Sequence, residues 1–140
     1  MDSDKALINH ISKKALNLND KILVVEDDDI SFILLEEILS TLNVKVVRAF
    51  DGKEAIDFFA KEKYAFDLVI MDIRLPKVNG YVAAQEIKAI NPSVHIVAVT
   101  AYAHSQCIID CYNAGCDDFI SKPYDINKIL SLVEDYVINR

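Results

Sequence analysis

Glycine is scarce in this 140-residue chain, occurring only as Gly52, Gly80 and Gly115. A P-loop or dinucleotide-type phosphate cradle needs clustered glycines so that backbone N–H groups can approach the phosphates, and three isolated ones cannot build it. Cysteine is equally sparse. Cys107, Cys111 and Cys116 are spaced by four and five residues, which is not the paired short spacing of a structural zinc site, so they read as reduced core thiols. One helical turn separates Cys107 from Cys111, which makes a redox pair the lesser alternative. His10, His95 and His104 show no ligand spacing either and read as surface or satisfied core residues. Positive charge is outnumbered: 15 Lys and Arg against 22 Asp and Glu give a net charge of -7. That balance excludes a nucleic-acid surface, which draws most of its affinity from Lys and Arg. No basic-then-apolar leader opens the chain, and no apolar run approaches the ~20 residues of a membrane span. A soluble, cytoplasmic domain is expected.

What is present is a high apolar content, 52%, at a length suited to one compact core. From Lys21 onward, short β-rich apolar runs alternate with stretches of helical period, the pattern of an α/β parallel sheet wound on both faces by crossover helices. The expected strands are Ile22 to Val25, Val44 to Arg48, Leu68 to Met71, His95 to Val99 and Asp118 to Ile120, with helices over roughly 29–42, 52–63, 79–90, 104–114 and 125–138. Ile30, Ile33, Leu34, Ile38 and Leu42 are expected to line one face of the first helix. Asp51 with Glu54 resembles a capping box, Asn91-Pro92 stops the third helix, and Gly115 supplies a left-handed C-terminal cap. Residues 1–20 read as a linker or flexible lead, with a docking helix through Leu7, Ile8, Ile11, Ala15 and Leu18 as the weaker option. The domain proper spans 21–140, and no room is expected for an output domain after Arg140.

The strand ends carry the chemistry. The first expected strand runs into Glu26, Asp27, Asp28 and Asp29, the third into Asp72, the fourth into Thr100 and the fifth into Lys122. Parallel sheets bind ligands outside the carboxyl ends of their strands. Carboxylates crowded there repel one another and lose hydration, a cost relieved by a proton, a cationic side chain or a hard divalent metal. A helix-cap reading of the acidic run needs one residue where four are present, and it leaves Asp72 and Lys122 unexplained. Glu26, Asp27 and Asp72 can offer oxygens to Mg²⁺. Thr100 and Lys122 can offer a hydroxyl and a point charge to a phosphoryl group, and Asp72 can then act as the nucleophile on phosphorus.

The blocks Ile22-Leu23-Val24-Val25-Glu26-Asp27-Asp28, Val69-Ile70-Met71-Asp72-Ile73-Arg74-Leu75-Pro76, Gly80, Ala98-Val99-Thr100-Ala101 and Ser121-Lys122-Pro123 resemble the receiver domain of two-component response regulators over about residues 21–138. That resemblance implies a flavodoxin-like sheet of order 2-1-3-4-5. It implies an Asp72 phosphorylated by a histidine kinase or a histidine phosphotransfer domain, and Mg²⁺ held by Glu26, Asp27, Asp72 and the backbone carbonyl of Arg74. It further implies a phosphoryl-sensing Thr100, a phosphoryl-binding Lys122, a cis bond before Pro123, and a switch aromatic at Phe119. Arg74 and Tyr102 match positions that modulate acyl-phosphate lifetime. Phosphorylation would shift the surface of the fourth helix, fifth strand and fifth helix toward a downstream protein target.

Two departures stand out. Glu26 replaces a more usual aspartate, and Phe119 lacks the hydroxyl often present at its position. The segment Ala101-Tyr102-Ala103-His104 and the tail from Asp117 to Pro123 look most similar to receivers of hybrid sensor histidine kinases, and a free-standing single-domain regulator is the near-equal reading. A receiver-like interaction module that is never phosphorylated is the alternative, disfavoured because all five key positions are filled. A flavin carrier of the same strand order would need a polar, uncharged phosphate loop where this chain has four acids.

Overall fold

Five parallel strands form a single sheet in the order β2-β1-β3-β4-β5. The computed structural model describes residues 20–101 and 104–138. The strands are β1 (Lys21–Val25), β2 (Lys45–Ala49), β3 (Leu68–Asp72), β4 (His95–Thr100) and β5 (Asp118–Ser121), and the helices are α1 (Asp29–Ser40), α2 (Gly52–Lys61), α3 (Gly80–Ile90), α4 (Ser105–Asn113) and α5 (Ile126–Val133). A π-helical turn, Glu134–Ile138, continues α5. The expected alternation and order therefore hold. The differences lie at boundaries: β2 starts and ends one residue later than expected, and β3 and β4 take in Asp72 and Thr100 as their last residues.

The period-2 geometry of the strands divides the core. Leu23, Val25, Val69, Met71, Ile96 and Ala98 point to one face, where α2, α3 and α4 cover them with Phe59, Ala84, Ile87 and Cys111. Ile22, Val24, Leu68, Ile70, Val97 and Val99 point to the other, under Leu35 and Leu39 of α1 and Ile129 and Val133 of α5. Central strands buried on both faces read as unbroken apolar runs, which is why β1 and β3 were legible as such.

Each helix opens on a side chain that accepts from an otherwise unpaired N–H of the first turn. Asp28 accepts from Ser31 at 2.8 Å, Asp51 from Glu54 at 2.8 Å and Asn79 from Val82 at 3.0 Å. His104 accepts from Cys107 at 3.4 Å and Asp125 from Lys128 at 3.3 Å. Asn91 closes α3 and Gly115 follows α4 with φ +101°, both as the punctuation predicts.

One expectation fails. The buried stripe of α1 is Leu35, Leu39 and, beyond its end, Leu42, whereas Ile30, Ile33 and Leu34 are 71%, 51% and 50% exposed. Apolar residues occupy more than half the circumference of this helix, so spacing alone did not choose which stripe meets the sheet. The packing partners Ile22 and Val24 choose Leu35 and Leu39. Among the described residues no helix is long and apolar enough to cross a membrane. The possible docking helix through Leu7 to Leu18 lies outside the described residues, as does His10.

Candidate functional site

The four-acid run after β1 splits into separate tasks. Asp28 caps α1. Asp29 ion-pairs with Arg48 at 2.9 Å. Glu26, whose backbone N–H donates to Ala49 O at 3.0 Å, turns its side chain inward and is only 2% exposed. Asp27 stays exposed. One cap was needed, and one of the four supplies it.

Glu26 meets Asp72 because β1 and β3 are neighbours in register, Val25 facing Met71. Glu26, Asp27 and Asp72 each present an oxygen within 4.8 Å of the others. Lys122, just past β5, reaches in to donate to Glu26 Oε1 at 2.7 Å and Asp72 Oδ2 at 2.9 Å, with Ser31 Oγ at 3.4 Å. The Lys122–Pro123 bond is cis, as the resemblance implies. The other Asp72 oxygen, Oδ1, accepts from the Arg74 N–H at 2.8 Å, so both carboxylate oxygens are held.

The electrostatics are unbalanced toward negative charge. Burial pushes the Glu26 carboxyl up to about 7, against the pull of its hydrogen bond to Lys122, and the Asp72 charge adds to the rise. Burial works against the Lys122 ammonium too, but its hydrogen bonds to Glu26 and Asp72 outweigh that and hold the proton more firmly than in an ordinary lysine. One ammonium thus cannot satisfy the buried carboxylates, and the remainder of the cost is carried by proton uptake at Glu26. The donor set fits a hard, oxygen-loving divalent cation, which satisfies such a pocket without a proton.

Thr100 ends β4 at the same sheet edge. It is buried, its carbonyl accepts from the Lys122 N–H at 2.9 Å, and its hydroxyl lies 3.9 Å from the Cys107 sulfur. Phe119 is half-buried on β5, register partner of Ala98, and Lys128 Nζ stands 4.6 Å over its ring. Arg74 is exposed beyond Asp72. Tyr102 lies outside the described residues. The three cysteines are free thiols, with Cys111 and Cys116 buried. His104 serves as a helix cap and His95 stacks on Tyr136 at 4.5 Å between centroids, so neither is a ligand candidate.

Sequence reasoning missed two supports. Arg48 donates from Nε to the Glu26 carbonyl at 3.0 Å while its guanidinium lies between the rings of Phe50, 4.0 Å, and Phe32, 4.6 Å. Its place near the end of the strand beside β1 was the available signal. Gly80 was noted only as a motif residue. A Cβ there would come within 2.6 Å of Ile73 Cα and 2.7 Å of the Asp72 carbonyl oxygen, so glycine lets α3 start directly against the backbone that carries Asp72.

The chain matches the family model described as "Response regulator receiver domain" over residues 22–134. It is 30% identical to "Sporulation initiation phosphotransferase F" of Bacillus subtilis over 86% of this chain and 95% of that protein. It is 32% identical to "Transcriptional regulatory protein RprY" of Bacteroides fragilis over 81% of this chain but 48% of that protein. The chain spans about half the length or less of the curated transcriptional regulators it matches. Among solved structures, the receiver domain of a sensor histidine kinase from Pseudomonas aeruginosa superposes with a TM-score of 0.76 at 30% identity, covering 85% of this chain and 98% of that one. That structure has a magnesium ion coordinated in its active site cleft.

Proposed function

Because the chain belongs to the response regulator receiver domain family, we propose that it is a phosphoacceptor of a two-component phosphorelay, with Asp72 taking a phosphoryl group from a phosphohistidine. The observation that carries this is the double contact of Lys122 Nζ with Asp72 and Glu26 at 2.9 and 2.7 Å in a pocket where three carboxylates converge. A structural ion pair needs one acid and one base. Three acids around one base at a strand-end cleft are suited to receiving a dianion together with a divalent cation.

In this reading Asp72 forms an O–P bond as the P–N bond of the phosphohistidine breaks, and the leaving imidazole keeps the electron pair. The Arg74 N–H holds the Asp72 carboxylate in place, and Lys122 follows the phosphoryl oxygens as charge develops on them. Thr100 supplies a hydroxyl to the phosphoryl group. Mg²⁺, when bound by Glu26, Asp27, Asp72 and the Arg74 carbonyl, supplies the additional positive charge. Arg74 and Tyr102 shield the acyl phosphate from water, and Phe119 follows Thr100 as a packing switch.

The donor is a histidine kinase or histidine phosphotransfer domain. It docks on the exposed apolar residues Ile30, Ile33 and Leu34, which lie on α1 beside the acidic loop. The downstream protein reads α4, β5 and α5, where Ile109 and Tyr112 stand exposed. Residues 1–20 serve as a lead joining the domain, 21–140, to its context, in a single-domain regulator or a hybrid kinase.

The test is incubation with acetyl phosphate and Mg²⁺ followed by intact mass. Wild type gains one phosphoryl adduct that alkali removes, and Asp72→Asn gains none. A wild type that stays unmodified, or an adduct that survives in Asp72→Asn, defeats the proposal.

A further inference from the structure

On the side of Thr100 away from the strand-one acids, two hydroxyls of different elements meet at one sulfur. Tyr81 of α3 places its hydroxyl 3.4 Å from Cys107 Sγ, and the Thr100 hydroxyl stands 3.9 Å from the same atom. Cys107 is only partly buried, and its backbone N–H donates to His104 Nδ1, the cap of α4. The group lines a cavity of about 390 Å³ that Arg74, Leu75 and Asn79 also border. Burial and the neighbouring sulfur hold the Tyr81 phenol protonated far above its ordinary range, so it remains a donor. A phenol that donates to sulfur leaves the thiol hydrogen for the Thr100 oxygen, giving a hydroxyl–thiol–hydroxyl chain from α3 through α4 to β4.

We propose that Cys107 is a positioning residue for Thr100, its thiol holding the Thr100 hydroxyl in the resting arrangement and tying that arrangement to α3 and α4. The inference rests on the phosphoacceptor reading of Asp72. Sulfur suits this task because its hydrogen bonds are long and weak. The hold biases Thr100 without trapping it, so a phosphoryl group that offers charged oxygens outbids it. When Thr100 leaves, the residue released is the one whose backbone anchors the first turn of α4, so the surface helix senses the change through a direct contact.

The experiment measures beryllofluoride affinity with Mg²⁺ for wild type, Cys107→Ala, Cys107→Ser, Thr100→Ala and the Cys107→Ala/Thr100→Ala pair, alongside Mg²⁺ affinity alone and the NMR position of the Thr100 methyl. Removing the thiol tightens beryllofluoride binding roughly two- to fivefold, the range of one weak neutral hydrogen bond, and moves the unliganded Thr100 methyl toward its bound position. Cys107→Ser returns both toward wild type, the change vanishes in the Thr100→Ala background, and Mg²⁺ affinity stays constant. An unchanged affinity in Cys107→Ala, the same change without Thr100, or an equal change in Mg²⁺ affinity overturns the proposal. A wild type that binds no beryllofluoride overturns it together with the phosphoacceptor reading.

Discussion

The surroundings of Asp72 and of Thr100 share one sheet edge, on adjacent strands, yet they are built from opposite materials. Around Asp72 the contacts are short and charged: Lys122 to Glu26 at 2.7 Å, Lys122 to Asp72 at 2.9 Å and the Arg74 N–H to Asp72 at 2.8 Å. Beside the Thr100 hydroxyl lie neutral sulfur contacts that are longer, Thr100 to Cys107 Sγ at 3.9 Å and Tyr81 to the same sulfur at 3.4 Å. Charge-assisted bonds are roughly twice as strong as neutral ones, and sulfur contacts are weaker again. On the proposed phosphoacceptor reading, a fixed half that holds the reacting groups adjoins a looser half that can move: a stiff second half would absorb the phosphoryl signal, and a soft first half would fail to place it.

The largest test of this contrast is Lys122→Ala, which strips the charged half of the one cation that, among the described residues, contacts Asp72 directly. Leaving buried carboxylates unpaired costs about 3 kcal/mol, so urea unfolding at neutral pH shows a loss of that order, and added Mg²⁺ restores part of it. A loss below about 1 kcal/mol would mean that the pocket is as soft as its neighbour.

Next in size is the pH dependence of Glu26. Its folded-state value of about 7 lies above its ordinary 4.5, so the folded protein holds this proton more tightly than the unfolded chain does. The resulting stabilisation is complete below 4.5 and is lost as the pH rises through about 7. For the metal-free protein this amounts to on the order of 2–3 kcal/mol between pH 4.5 and 7.5. Glu26→Gln flattens that slope in pH-resolved chemical denaturation. Mg²⁺ competes with the same proton, so its affinity in wild type climbs by up to about tenfold per pH unit until about 7.

Arg48→Ala probes the wall behind the charged half. It removes the hydrogen bond to the Glu26 carbonyl, the Asp29 ion pair and two ring contacts. A stability loss of about 1–2 kcal/mol follows, with severalfold weaker Mg²⁺ binding by calorimetry because the acidic loop loses its brace. On the loose side, His104→Ala removes only a helix cap. It costs about 1 kcal/mol or less in thermal unfolding and leaves Mg²⁺ affinity unchanged, so a larger effect there would erase the contrast.

Much of this was legible in the chain, for identifiable reasons. β1 and β3 are buried on both faces, so their apolar runs had no rival reading, and each was seen to end in acid. Asp51, Asn91 and Gly115 act through their own backbone neighbours, and local effects survive being read locally. The α1 face did not yield to the same reasoning. Ile30, Ile33 and Leu34 satisfy the helical period as well as Leu35 and Leu39 do, and only the sheet beneath separates them. Nor did periodicity place Arg48: its position near the end of the strand beside β1 was a signal, but only the fold shows that the side chain turns to the Glu26 carbonyl at the end of that strand. Lys77, which adopts φ +64° and reaches Asp51 at 3.4 Å, carried no sequence signal for that backbone conformation.

The sequence alone determined which residues could ionise, where the strands would stop, and hence that Glu26, Asp27, Asp72, Thr100 and Lys122 would lie along one edge, because strand polarity and crossover handedness leave little choice. Only the tertiary structure decided their distances. It buried Glu26 and left Asp27 wet, gave Lys122 two acids to bridge, and set the Thr100 hydroxyl beside the Cys107 sulfur. Such outcomes depend on desolvation and on contacts between residues up to 96 positions apart, and energies of that kind exist only once the chain has closed on itself.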